Sequence, residues 1–114
     1  TDYPYYIYKI DGTIAGYCYA HSWKTRKACQ LTAETTVYIA PQHTGKGIGQ
    51  LLMKRLIKEC RNRKLHALIA CITAENTGSC IMHEKLGFKK VSAFHEVAFK
   101  AGQYLGVADY ELIL

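Results

Sequence analysis

A chain of 114 residues, 49% hydrophobic and 21% charged, is long enough for one modest core and has the balance of an ordinary globular domain. No apolar run reaches the roughly 20 residues needed to span a bilayer, and Thr1-Asp2-Tyr3-Pro4 has neither the basic nor the apolar segment of a secretion leader. The net charge of +6 points to an anionic partner, and nucleic acid, a membrane surface or a polyphosphate ligand would each satisfy it.

Residues 5–10 and 14–20 are rich in Tyr and Ile, and Asp11-Gly12 between them is a hairpin signal, since Gly readily takes the positive φ of a tight turn. Residues 31–40 form a third predicted strand, carried by β-branched Thr32, Thr35, Thr36, Val37 and Ile39 and ended by Pro41. From residue 46 to about 63 the period becomes helical. Ile48, Leu51, Leu52, Leu56, Ile57 and Cys60 make one apolar stripe, and Lys54, Arg55, Lys58, Arg61, Arg63 and Lys64 read as a solvated face. Residues 66–72 are almost wholly apolar, the pattern of a strand covered on both faces. Residues 76–86 read as a second helix closed by Gly87, and 88–99 and 107–114 as two further strands. The order β-β-β-α-β-α-β-β predicts an α/β domain on a mixed sheet.

Five cysteines at 18, 29, 60, 71 and 80 are odd in number and include no CxxC pair, so free, mostly buried thiols are expected rather than a disulfide framework. Cys71, Cys80 and His83 match no common zinc-ligand spacing, and no metal site is expected.

The chemistry concentrates in Pro41-Gln42-His43-Thr44-Gly45-Lys46-Gly47-Ile48-Gly49, between a strand and a helix. Three glycines let the main chain approach a ligand closely, and the helix start adds partial positive charge, so this turn suits a phosphate or pyrophosphate. A Walker loop is excluded, because Lys46 is followed by Gly47 and not by Ser or Thr. The dinucleotide fingerprint is excluded by the spacing of Gly45, Gly47 and Gly49.

Gln42, Gly45 and Gly47 resemble the Q/R-x-x-G-x-G/A signature of the GNAT acetyltransferases. Trp23-Lys24-x-Arg26, Thr32-Ala33-Glu34-x-Thr36-Val37-Tyr38, Glu75-Asn76-x-x-Ser79, Met82-His83-Glu84-x-Leu86-Gly87-Phe88 and Phe99-Lys100-x-Gly102 look like the phosphinothricin and methionine sulfoximine branch, over essentially the whole chain. The resemblance implies a GNAT-like sheet, mostly antiparallel and flanked by helices, and an acetyl-CoA-dependent N-acetyltransferase acting on a small amino-acid-like amine. It further implies a cytoplasmic homodimer without metal, nucleic-acid or membrane partners. Relative to the family the chain looks N-terminally truncated, lacking a strand and one or two helices that help to form the acceptor pocket. Cys29 stands where the family usually has Tyr, Gly106 where Asp is common and His95 where Arg is common, which bears on the acceptor more than on the reaction.

Carried over to this sequence, the resemblance makes Glu34 the general base and His83 the acid for the departing thiolate. It places acetyl-CoA against the main chain of Val37, Tyr38 and Ile39, against Gln42, His43, Thr44, Gly45, Lys46, Gly47, Ile48, Gly49 and Gln50, and beside Asn76 and Ser79. Lys24, Arg26 and Tyr38 are the acceptor contacts, the two cations suiting a carboxylate or phosphinate. The alternatives are a protein N-terminus, lysine or polyamine as acceptor, and a non-catalytic acyl-CoA-binding or nucleic-acid-binding module.

Overall fold

The structure is a computed structural model and describes residues 3–114. Thr1 and Asp2, part of the segment read for a leader, lie outside the described residues.

Six strands form one sheet in the order β1-β2-β3-β4-β6-β5. The elements follow the chain as β1 (Tyr5–Ile10), β2 (Thr13–Ser22), a 3-10 turn (Lys27–Cys29), β3 (Thr32–Ile39) and a second 3-10 turn (Pro41–His43). Then come α1 (Ile48–Asn62), β4 (Ala67–Thr73), α2 (Thr77–Lys85), β5 (Lys89–Lys100) and β6 (Gln103–Ile113). Among the described residues only β3 and β4 run parallel; every other neighbouring pair is antiparallel.

Two tight hairpins fix the register at either end. Asp11 and Gly12 have φ of 49° and 77°, both left-handed, as a two-residue turn matched to strand twist requires. Ala101 and Gly102 repeat the geometry with φ of 52° and 80°. The last two strands accordingly run on to Lys100 and start again at Gln103, where the sequence predicted a connection from 100 to 106. An Ala in that conformation is unfavourable on its own, and the long ladder between β5 and β6 outweighs it.

Cross-strand partners share a face, so the row Ala20, Thr35, Ala70 and Tyr110 defines the side on which both helices lie. There α1 buries Ile48, Leu52, Met53, Leu56, Ile57 and Cys60 against Cys18, Ala33 and Leu68. The expected helix stripe loses one position and gains another: Leu51 is 54% exposed, while Met53, outside the expected stripe, is fully buried. Burying side chains of this size contributes roughly 1.5–3 kcal/mol each before the entropy of ordering them is subtracted.

The opposite face carries Tyr17, Tyr19 and His21 from β2 and Glu34, Thr36 and Tyr38 from β3. Among the described residues no helix covers it. Strand β4 is buried at Ala67, Leu68, Ile69, Ala70 and Ile72, but Cys71 is exposed on that open face, which corrects both the expectation of complete cover and that of buried thiols. Cys29 and Cys80 are half-buried, and only Cys18 and Cys60 are fully inside. Among the described residues no helix is long and apolar enough to cross a membrane.

Candidate acyl-CoA cleft

Strands β3 and β4 pair only from Thr32 with Ala67 to Thr35 with Ala70. Beyond that point β3 continues to pair with β2 as far as Gly16 with Ile39, but among the described residues it has no strand partner on the other side. Ala40 donates its N–H to the Ala15 carbonyl at 2.8 Å. Main-chain groups alternate direction along an antiparallel ladder, so Tyr38 also faces β2, and Val37 and Ile39 turn their N–H and C=O groups into the gap. Of the three main chains expected to run beside a ligand, two are free to bond it. The phenol ring of Tyr38, half exposed, stands at the margin and meets Tyr17 at a tilt of 30°, 5.4 Å between centroids.

The gap opens into a cleft of about 580 Å³ lined by Val37, Tyr38, Ile39, His43, Thr44, Gly45, Gly47, Ile48, Gly49, Gln50, Asn76, Gly78, Ser79 and Met82. Its floor at one end is the start of α1. Gly47, with φ of 79°, is the N-cap, no side chain caps the helix, and its first turn has no acidic residue. The ladder begins with Leu51 N–H on the Gly47 carbonyl at 3.1 Å. The N–H groups of Ile48, Gly49 and Gln50 therefore precede it, with no main-chain acceptor among the described residues. Gly45 also has φ of 79°, and among the described residues a Cβ at Gly45 or Gly47 would meet nothing within 4 Å, so the space beside both glycines is open. Three free donors at a helix start, with open space in front, fit a phosphate.

Gly49 answers a different need. A Cβ there would stand 3.1 Å from Met82 Sδ and 3.6 Å from Ile39 Cγ1, so its absence lets α1 approach α2 and β3 closely. Gly78 and Met82 line the cleft and were absent from the sequence expectations. Met82 stood only in the family-like run 82–88 and neither was read as a site residue, because both reach the cleft through the placement of α2 across the gap.

Asn76 is the N-cap of α2, its side chain accepting from Ser79 N–H at 3.2 Å, and both residues also border the cleft. Gln42 and Lys46, expected as ligand contacts, are exposed and outside the lining. Lys46 Nζ instead donates to His43 Nδ1 at 2.9 Å on the rim, leaving a cation near the phosphate cup.

His83 is where the structure departs most from expectation. It is 2% exposed, its ring meets Phe88 edge-on at 4.9 Å, and its Nδ1–H donates to the Ser79 carbonyl at 2.8 Å. Burial pushes its pKa below the usual 6.5. The residue is a neutral core histidine outside the cleft lining, because Phe88 and Tyr110 enclose that face of α2. Ser79, 3.3 Å from the ring through Oγ, is the residue of this pair that reaches the cleft.

Glu34 lies on the open face of β3, three residues before Val37. Its side chain is 28% exposed and 3.9 Å from His21 Nε2. Lys24 and Arg26 follow the end of β2, at the same end of the sheet, in an exposed loop where Lys24 Nζ lies over the Trp23 ring at 5.0 Å. The phosphate cup and the candidate base thus flank the unpaired length of β3. Among the described residues no cluster of three metal-ligating side chains occurs; Cys71 is on the open face, and Cys80 and His83 are on α2 across the sheet.

Comparison with known proteins agrees with this arrangement. The acetyltransferase (GNAT) family pattern matches residues 1–88. The L-methionine sulfoximine/L-methionine sulfone acetyltransferase of Salmonella typhimurium is 33% identical over 112 residues, covering 98% of this chain and 66% of that protein. A GNAT superfamily phosphinothricin acetyltransferase from Sinorhizobium meliloti, solved in complex with acetyl-CoA, superposes with a TM-score of 0.94 at 31% identity, over 98% of this chain and 61% of that one. A ribosomal-protein-alanine N-acetyltransferase from Brucella melitensis gives 0.93 at 32% identity, over 98% and 69%. The chain spans between half and two thirds of the length of the curated relatives it matches. With a parted β3–β4 pair facing an uncapped glycine-rich helix start, and with that similarity running the length of the fold, the chain belongs to the GNAT acetyltransferase family.

Proposed function

We propose that this domain moves an acetyl group from acetyl-CoA to the primary amine of a small amino-acid-like acceptor by direct transfer. The observation that carries the reading is the pairing of free donors at Ile48, Gly49 and Gln50 with the unpaired β3 edge at Val37 and Ile39. The first suits the pyrophosphate of coenzyme A. The second suits the amide-bearing pantetheine arm, which would extend the sheet in the place β4 vacates.

In the reaction the acceptor nitrogen attacks the thioester carbonyl, a C–N bond forms, the C–S bond breaks, and the amine loses a proton while sulfur gains one. An amine with a pKa about 2 to 3 units above ambient pH costs roughly 3 to 4 kcal/mol to neutralise. Glu34, on the open face beside His21, would take that proton directly or through water. A main-chain N–H at the β3 edge would stabilise the carbonyl oxygen as it becomes negative. Ser79, and not His83, offers a hydroxyl to the departing sulfur.

Lys24 and Arg26 favour an acceptor bearing a carboxylate or phosphinate, as the names of the methionine sulfoximine and phosphinothricin relatives suggest. The likeness to the ribosomal-protein-alanine enzyme supports a second reading, in which a protein N-terminus is the acceptor. The test is release of free thiol from acetyl-CoA with methionine sulfoximine, phosphinothricin, alanine-initiated peptides or polyamines. Turnover with the amino-acid analogues is expected. Acetyl-CoA binding without turnover of any amine would leave a non-catalytic binding module, and absence of acetyl-CoA binding would reject the reading altogether.

A further inference from the structure

We propose that Cys71 and Asp109 are positioning residues on the acceptor side of the site, holding the Glu34 carboxylate in place from the neighbouring strands. The inference rests on Glu34 serving as the base. It adds two residues that no motif marks and that lie on β4 and β6.

The register brings them together. Cys71 pairs with Asp109, and Asp109 pairs in turn with Ser92, all on the open face. Cys71 Sγ–H donates to Asp109 Oδ1 at 3.0 Å, and Ser92 Oγ–H donates to Asp109 Oδ2 at 2.7 Å. Both carboxylate oxygens are thereby tied down, and the thiol is directed by an acceptor that cannot rotate away. Glu34 pairs with Ile69, one same-face position before Cys71, so its carboxylate and the Cys71 sulfur are diagonal neighbours on that face. His21 closes the other side of Glu34 at 3.9 Å. A polar row thus crosses five adjacent strands, from β2 through β3, β4 and β6 to β5, at the end of the sheet where β3 is about to part from β4.

Core packing does not account for Cys71, which is exposed. Nor does thiolate chemistry, because desolvation and the two carboxylates, Asp109 and Glu34, push the thiol up to about 12. At neutral pH the sulfur keeps its one proton, directed at Asp109 Oδ1, and stands as a neutral group on the side of Glu34 that faces β4. Without that neutral group, and with Asp109 released from it, Glu34 would swing toward His21 or solvent. Misplacing a reacting group by about 1 Å can cost on the order of 100-fold in rate.

The test compares Cys71→Ala, Cys71→Ser, Asp109→Ala and Glu34→Gln for kcat, for KM of acetyl-CoA and of the acceptor, and for acetyl-CoA affinity by calorimetry, the last serving as the check that each variant folds. Cys71→Ala and Asp109→Ala are expected to lower kcat about 10- to 100-fold with acetyl-CoA affinity unchanged. Cys71→Ser, which keeps a donor of similar size, is expected to restore most of the rate. Alkylation of Cys71 by iodoacetamide, followed by peptide mass spectrometry, is expected to speed up in Asp109→Ala, because the thiol loses the partner that holds its proton. Native kcat in Cys71→Ala beside a slow Glu34→Gln overturns this proposal alone. Failure of serine to rescue overturns it too, leaving a packing role. A fully active Glu34→Gln removes the base assignment and this proposal with it.

Discussion

Thr35 and Ala70 are the last register partners of β3 and β4, and Thr35 Oγ1 is buried there without a hydrogen-bond partner among the described residues. The sheet opens immediately beyond a polar group that it leaves unsatisfied. Its backbone geometry is therefore held by something other than the hydroxyl, namely the continued pairing of β3 with β2 and the packing of α1 beneath both.

Replacing Thr35 by Val keeps the shape and β-branching while removing the unpaired hydroxyl. An unsatisfied buried polar group costs roughly 1–3 kcal/mol, so Thr35→Val should raise the melting temperature by several degrees with the cleft unchanged. Calorimetric unfolding and acetyl-CoA titration check this, and a lower Tm would show that the hydroxyl has a partner in solution.

Glu34→Gln removes a proton acceptor while preserving the side-chain length. A general base contributes typically about 10²–10⁴-fold, so kcat should fall by that order while acetyl-CoA affinity stays near native. Steady-state kinetics beside calorimetric titration separates the two, and equal turnover would take Glu34 out of the mechanism.

Gly45 and Gly47 both sit at φ of 79° with open space where a Cβ would go. Strain, not collision, is the penalty of substitution there, about 1–2 kcal/mol for a left-handed L-residue. Gly47→Val should therefore fold with a modestly lower Tm yet bind acetyl-CoA at least tenfold more weakly, because the amides that follow lose their direction and the side chain enters the cup. Unchanged affinity in a folded variant would move the phosphate site elsewhere.

His83 contributes a pH dependence whose sign follows from its lowered pKa. Above the unfolded value of 6.5 the residue is neutral in both states and costs nothing. Below it the unfolded chain takes up the proton first, so stability falls with pH from about that point until the lower folded value is passed. Urea midpoints between pH 7 and 5 should decline in the native protein and decline less in His83→Phe. The same variant should keep acetyl-CoA affinity, since the ring does not reach the cleft.

Cys18 and Cys60 should resist iodoacetamide at neutral pH, since burial raises both thiols to about 11. Labelling of either in the folded protein, followed by mass spectrometry, would show that the core beneath α1 opens.

Element order, the Asp11-Gly12 hairpin and the strand end at Pro41 were readable along the chain, and the first helix, expected from residue 46, starts two residues later at Ile48. Each depends on forces acting within a few residues: a positive φ, a missing donor, an apolar period. The glycine-rich turn was legible for the same reason. Leu51 and Met53 were misassigned because they stand about 200° apart round the helix, at opposite edges of the apolar stripe, and only the partner surface decides which edge is covered. The Ala101-Gly102 turn was missed because Ala carries no preference for a left-handed conformation and takes it there under the long ladder between β5 and β6.

The sequence by itself determined which segments become strands and helices and where a phosphate could meet free amides, because those properties are local. Tertiary structure alone decided that β3 parts from β4 after Thr35, that His83 turns into the core while Ser79 lines the cleft, and that Cys71, bonded to Asp109, stands one same-face position beyond the partner of Glu34. Those outcomes depend on sheet order and register between segments tens of residues apart, and nothing in the local pattern of any one segment encodes its partner.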